Sequence, residues 1–87
     1  MKAIVVAENG GPEVLQYRDV DVPAVGPKQV LIRVAAASVN FADIKERIGV
    51  YGTKKPPFIP GIDVTGVIEA VGSDVTGLKA GQRVISL

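Results

Sequence analysis

Apolar residues in this chain come in short runs, each cut by glycine, proline or a polar cluster. Residues 3–7, Ala-Ile-Val-Val-Ala, predict a first strand that stops at Asn9-Gly10-Gly11-Pro12, a set of turn formers. Residues 14–20 predict its hairpin partner. Leu15 and Tyr17 then face one way and Gln16 and Arg18 the other, because successive strand side chains point to opposite faces. Val22-Pro23-Ala24-Val25-Gly26-Pro27 predicts a loop, since the prolines carry no backbone donor. Residues 29–37 show the clearest alternation, with Val30, Ile32 and Val34 set against Leu31 and Arg33. A helix is expected next. Asn40 is a good N-cap, Asp43 falls near the positive end of the helix dipole, and Phe41, Ile44 and Ile48 recur on one face before Gly49 closes the last turn. Such a helix lasts about two turns and needs support from the sheet.

Residues 52–60 predict a loop with three prolines and the pair Lys54-Lys55. Residues 63–71 read as a strand, and Gly66 inside it signals a bulge or a close backbone approach. Gly72-Ser73-Asp74 should turn, residues 75–78 should be short and extended, and Lys79-Ala80-Gly81-Gln82 should turn again. Residues 83–87 begin another strand, with no Gly, Pro or polar tail to end it. That last feature leads us to expect a longer protein cut short.

Composition sharpens this picture. Val and Ile supply 23 of 87 residues and Leu only four. That bias favours strands, because branched side chains lose χ1 freedom in helices. The apolar fraction of 47% excludes intrinsic disorder. Ten basic against nine acidic residues give a net charge of +1, too little to grip a phosphate backbone or an anionic lipid surface. We therefore expect neither nucleic acid nor membrane as a partner. Apolar runs are far below the ~20 residues of a spanning helix, and no signal peptide is apparent at the start, so a cytoplasmic chain is expected. The chain has no Cys and no His. It can build neither a disulfide framework nor a Cys/His zinc site, and no Ser-His-Asp or Cys-His nucleophile.

Few segments carry chemistry. Gly72-Ser73-Asp74-Val75-Thr76-Gly77-Leu78-Lys79 is spaced somewhat like a phosphate-binding loop. Leu78 stands where lysine is required, and Ala80-Gly81 blocks the helix that must follow, so plain turns are expected. No G-x-G-x-x-G occurs, so these residues lack the dinucleotide fingerprint. Lys45, Arg47, Lys54 and Lys55, with Glu46 among them, read as a solvated surface. Tyr51 either packs its ring on the barrel wall or offers its phenol as a proton donor to a carbonyl oxygen. Asn40 caps the helix, and its amide is also placed to orient a ligand beyond the N-terminus.

Four segments together are distinctive. They are Ser38-Val39-Asn40-Phe41-Ala42-Asp43, Arg47-Ile48-Gly49-Val50-Tyr51, the run from Pro60-Gly61-Ile62-Asp63 to Gly72, and Val75-Thr76-Gly77-Leu78-Lys79-Ala80-Gly81-Gln82-Arg83-Val84. With the opening Met1-Lys2-Ala3-Ile4-Val5 and Gly11-Pro12-Glu13-Val14-Leu15, the chain closely resembles the N-terminal part of medium-chain dehydrogenases/reductases. Within them it resembles the zinc-free quinone oxidoreductase, or ζ-crystallin-like, branch.

The resemblance implies a mostly β fold: a GroES-like partly open β-barrel with one short helix, incomplete as an 87-residue chain. Residues 1–87 would be the N-terminal portion of a catalytic domain, with the Rossmann cofactor domain absent from them. The implied activity is hydride transfer from NADPH to a quinone or activated enone without zinc, by a homodimeric full-length enzyme. Zinc-dependent relatives place a cysteine where Asn40 stands and read Gly-His-Glu where this chain has Gly61-Ile62-Asp63, so no metal ligand is expected. By the same resemblance Asn40 and Tyr51 are the catalytic candidates, and Asn40, Phe41 and Asp43 lie beside the cofactor. Quinone reductases often carry a further aromatic where this chain has Lys45. Two other readings stay open: an enoyl thioester reductase with Tyr51 as proton donor, and, from a different class, a co-chaperonin-like binding module.

Overall fold

Among the described residues the β-branched runs form five strands, and the one helical pattern forms one α-helix. The structure is a computed structural model that describes residues 1–50 and 54–87. The chain divides into two compact units, Met1–Val22 with Val39–Ile62, and Pro23–Ser38 with Asp63–Leu87.

In the first unit β1 (Lys2–Val6) pairs antiparallel with β2 (Leu15–Asp19), with Lys2 opposite Asp19 and Val6 opposite Leu15. The predicted hairpin is therefore present, its second arm preceded by one 3-10 turn at Pro12–Val14. Val5 and Val6 point to opposite faces of β1, yet both are buried, together with Val14. Cover on both faces explains why residues 3–7 are apolar without alternation. Val6 also exchanges backbone hydrogen bonds with Phe58, at 2.8 and 3.2 Å. β2 is exposed throughout. Its ion pair, Lys2 Nζ to Asp19 Oδ2 at 2.6 Å, is solvent-facing and adds at most about 1 kcal/mol. Helix α1 (Phe41–Ile48) belongs to this unit.

In the second unit β3 (Val30–Ala36), β4 (Val64–Val71) and β5 (Arg83–Ser86) form an antiparallel sheet in the order β3-β4-β5. Central β4 carries the buried Ile68. Gly66 combines both features its place in a strand suggested. The β3–β4 register slips between Val34 and Ala36, beside the Val34–Gly66 pair, and a Cβ at residue 66 would overlap the Arg33 carbonyl oxygen. Gly72 is needed for a similar reason, because a Cβ there would run into the Gly26 and Pro27 carbonyls.

Residues 75–78 correct the expectation of a short extended segment. They form no strand. The Val75 N–H turns back to the Gly72 carbonyl at 3.1 Å, and Gly77 sits at φ +81°, outside the β region. Ladder-like pairing resumes at Gly81 and Gln82: the Gly81 N–H donates to the Ile68 carbonyl and the Gln82 carbonyl accepts the Ile68 N–H, both at 2.8 Å. The Gly72-to-Lys79 segment is thus a series of turns, as expected.

Among the described residues only Val5, Val6, Val14 and Ile68 form buried apolar core. Val34, Ile85 and Leu87 of the second unit and Val39 and Phe41 of the first are all more than half exposed. Among the described residues each sheet is open, β1-β2 in the first unit and β3-β4-β5 in the second. This is a mostly β, partly open architecture with one short helix, as the resemblance implies. Gly66→Ala should destabilise the protein by about 1–3 kcal/mol, the usual cost of overpacking, while exposed Ser73→Ala should stay within about 0.5 kcal/mol. Urea unfolding of both variants beside the parent checks this, and equal midpoints would refute the close approach at Gly66.

Candidate functional site

Eight residues make a helix too short to persist in water without contacts, so what holds α1 decides where its ends lie. Asn40 is the N-cap, in extended conformation at φ −104° and ψ 160°. Its N–H donates to Asp43 Oδ2 at 2.9 Å, and the Asp43 N–H donates to the Asn40 carbonyl at 3.0 Å. The acidic side chain therefore locks the first turn and complements the positive end of the helix dipole. Asn40 and Asp43 are half-buried. Next to them Phe41 leaves 70% of itself exposed, with Lys45 Nζ 4.9 Å from its ring centroid.

At the other end Gly49 adopts φ +94°, and its N–H reaches the carbonyls of Lys45 and Glu46 at 3.0 and 3.1 Å. The turn after β1 docks here. The Gly10 N–H donates to the Arg47 carbonyl at 3.1 Å, and Arg47 Nε–H donates back to the Gly10 carbonyl at 3.1 Å. Asn9 Nδ2 adds bonds to the Arg47 and Glu46 carbonyls at 3.2 and 3.5 Å. Two expectations are corrected by this arrangement. Arg47 is a half-buried connector rather than part of a solvated basic face; only Lys54 and Lys55 of that set are classed as exposed. The stripe of Phe41, Ile44 and Ile48 is only partly covered: Ile44 is half-buried, while Phe41 and Ile48 are exposed. No residue of α1 is fully buried, and polar contacts at its two ends add to this partial packing.

In the second unit Asp63, just before β4, receives two bonds from Ser38: the N–H to Oδ1 at 3.0 Å and the hydroxyl to Oδ2 at 2.7 Å. Sequence reasoning treated Asp63 only as a position where zinc-dependent relatives carry glutamate. In the sequence Asn9 reads only as part of a strand stop and Ser38 only as part of a family segment. Their partners lie 25 to 38 residues away, beyond any local pattern. The structure brings Asn40, Phe41 and Asp43 together at one helix end, and Tyr51 lies outside the described residues. Among the described residues no three His, Cys, Asp or Glu side chains gather as a metal would require, and no helix is long and apolar enough to cross a membrane.

The family of alcohol dehydrogenase GroES-like domains matches residues 26–87. The chain belongs to that family. It is 50% identical over 88 residues to a quinone oxidoreductase of Lama guanicoe, covering 99% of this chain and 27% of that protein. A mycobacterial quinone oxidoreductase structure superposes with a TM-score of 0.92 at 42% identity, covering 99% of this chain and 27% of its own. The quinone oxidoreductase of Escherichia coli, solved with NADPH, gives a TM-score of 0.93 at 32% identity, with 98% and 26% coverage. The resemblance to the N-terminal part of quinone oxidoreductases thus holds in sequence and in fold. The chain spans about a quarter of the length of these relatives.

At the C-terminal end of α1, Gly49→Ala should cost about 1–2 kcal/mol from the left-handed backbone alone. The added Cβ would also come within 2.9 Å of Asn9 Cγ and push that side chain off the helix end. Chemical denaturation checks the loss, and an unshifted midpoint would show that Asn9 does not sit against Gly49.

Proposed function

We propose that residues 1–87 are the N-terminal, substrate-side portion of a GroES-like catalytic domain in an NADPH-dependent quinone oxidoreductase that works without zinc. The nucleotide-holding Rossmann domain lies outside these residues, and the homodimer and cytoplasmic location belong to the same proposal. The observation that carries it is the end of α1, where a half-buried amide with a fixed backbone stands beside an exposed aromatic ring, in a chain about half identical to a quinone oxidoreductase.

These residues fit a nicotinamide and its substrate. Asn40 brings an amide and Phe41 a flat apolar ring to the same helix end. When bound, NADPH supplies a hydride to an electrophilic carbon of the quinone or enone. Negative charge then grows on the substrate oxygen. Asn40 Nδ2–H is the main donor to that oxygen, and Tyr51 O–H is the second, contributing less with a quinone than with an enoyl thioester. Donors held in place before the reaction need no reorganisation when charge appears, which is the main source of such stabilisation. Asp43 acts from the cofactor side by fixing the Asn40 backbone. Metal is not required of these residues. Ile62 occupies the place of a metal-binding histidine in zinc-dependent relatives, and the chain has no Cys or His. An oxidoreductase is preferred to a co-chaperonin-like module because the relatives named above are oxidoreductases.

In the full chain that carries these residues, Asn40→Ala should lower kcat with a quinone by about 10²-fold, as loss of one oxyanion donor does. Tyr51→Phe separates quinone from enoyl thioester as substrate. A quinone reductase should keep its quinone rate within about tenfold, whereas an enoyl reductase using Tyr51 as proton donor should lose about 10²–10⁴-fold with its thioester. Steady-state kinetics with both substrate types decide it, and wild-type rates for Asn40→Ala would remove Asn40 from the mechanism.

A further inference from the structure

We propose that Asn9, in the turn after β1, is a positioning residue for hydride transfer: by docking on the C-terminal end of α1 it holds Asn40 in place at the other end. The proposal rests on the reading of Asn40 given above. Eight residues span about 12 Å as a helix, so a shift at one end is carried rigidly to the other. None of its residues is fully buried, though 42–47 are half-buried, so α1 has only partial packing to fix its rotation and its position along its axis. The turn of Asn9 and Gly10 supplies a closed ring of hydrogen bonds instead. The Arg47 carbonyl accepts from both the Gly10 N–H and Asn9 Nδ2, and Arg47 Nε–H returns a bond to the Gly10 carbonyl. Asn9 Nδ2 also approaches the Glu46 carbonyl at 3.5 Å.

The chemistry at this contact is specific to an amide. The acceptors are the last carbonyls of the helix, which carry the negative end of its dipole. A donor there is favourable. A carboxylate of the same shape puts negative charge against those oxygens. Gly49 completes the seat, because only a residue without Cβ leaves room for the Asn9 amide. Residues 9 and 47 are distant in sequence, which is why a turn that reads locally as a strand stop acts on the far side of the site.

The test uses the full chain, NADPH and a quinone, with Asn9→Asp and Asn9→Ala made alone and on an Asn40→Ala background. Asn9→Asp should lower kcat about ten- to a hundredfold, since displacements near 1 Å cost that much, and KM for NADPH should stay within about threefold. Asn9→Ala should lose less, having no added charge, and it carries the test where the aspartate variant does not fold. On the Asn40→Ala background either change should cost less than about twofold further, because residues acting as one unit are not additive. A purely structural role for Asn9 would instead give the same fold-loss on both backgrounds, and that result overturns the proposal, as does an unchanged kcat for both Asn9 variants. If Asn40→Ala alone turns over like the parent, the reading of Asn40 fails and the proposal with it. Loss of coupling while Asn40→Ala remains slow removes only the role of Asn9.

Discussion

A two-turn helix without a fully buried residue depends also on what holds its ends, and the candidate site of this protein follows from how that is done. At the N-terminal end the Asp43 carboxylate holds the Asn40 backbone. At the C-terminal end the turn after β1 exchanges bonds with Arg47. Each bond contributes only about 1 kcal/mol net, but together they supplement the partial packing of the half-buried residues 42–47. They also leave the Phe41 ring on the surface, where a ligand can reach it.

The same economy runs through both units. Buried apolar residues among those described are few, while Val34, Ile85, Leu87 and Val39 are more than half exposed. Extensive exposed apolar surface marks places where further protein or a ligand binds. The chain spans about a quarter of the length of its relatives. The order within each sheet is set by local devices. Gly66 lets β3 approach β4 closely, and Gly72 lets the chain pass the Gly26–Pro27 carbonyls.

Much of this was legible in the residues themselves. The strands, the helix, its Asn40 cap and its Gly49 stop depend on alternation, β-branching and terminal chemistry, all of which act over a few residues. The extended reading of residues 75–78 failed because Gly72 and Gly77 turn the backbone, which outweighs the apolar Val75 and Leu78. Arg47 was misjudged because its charge suggests solvent, whereas its Nε–H is used by a carbonyl 37 residues away. The partners of Asn9, Ser38 and Asp63 were missed for the same reason: they are set by tertiary contact and leave no periodic trace. The capping pattern placed Asn40, Phe41 and Asp43 at the start of α1.

The central proposal is that the full protein transfers hydride without metal, with Asn40 and Tyr51 as its donors. It is tested most directly by following NADPH oxidation by the full chain with a quinone, before and after exhaustive chelation of divalent metals. The account predicts the same rate in both conditions. A rate that collapses on chelation and returns with added zinc would contradict it.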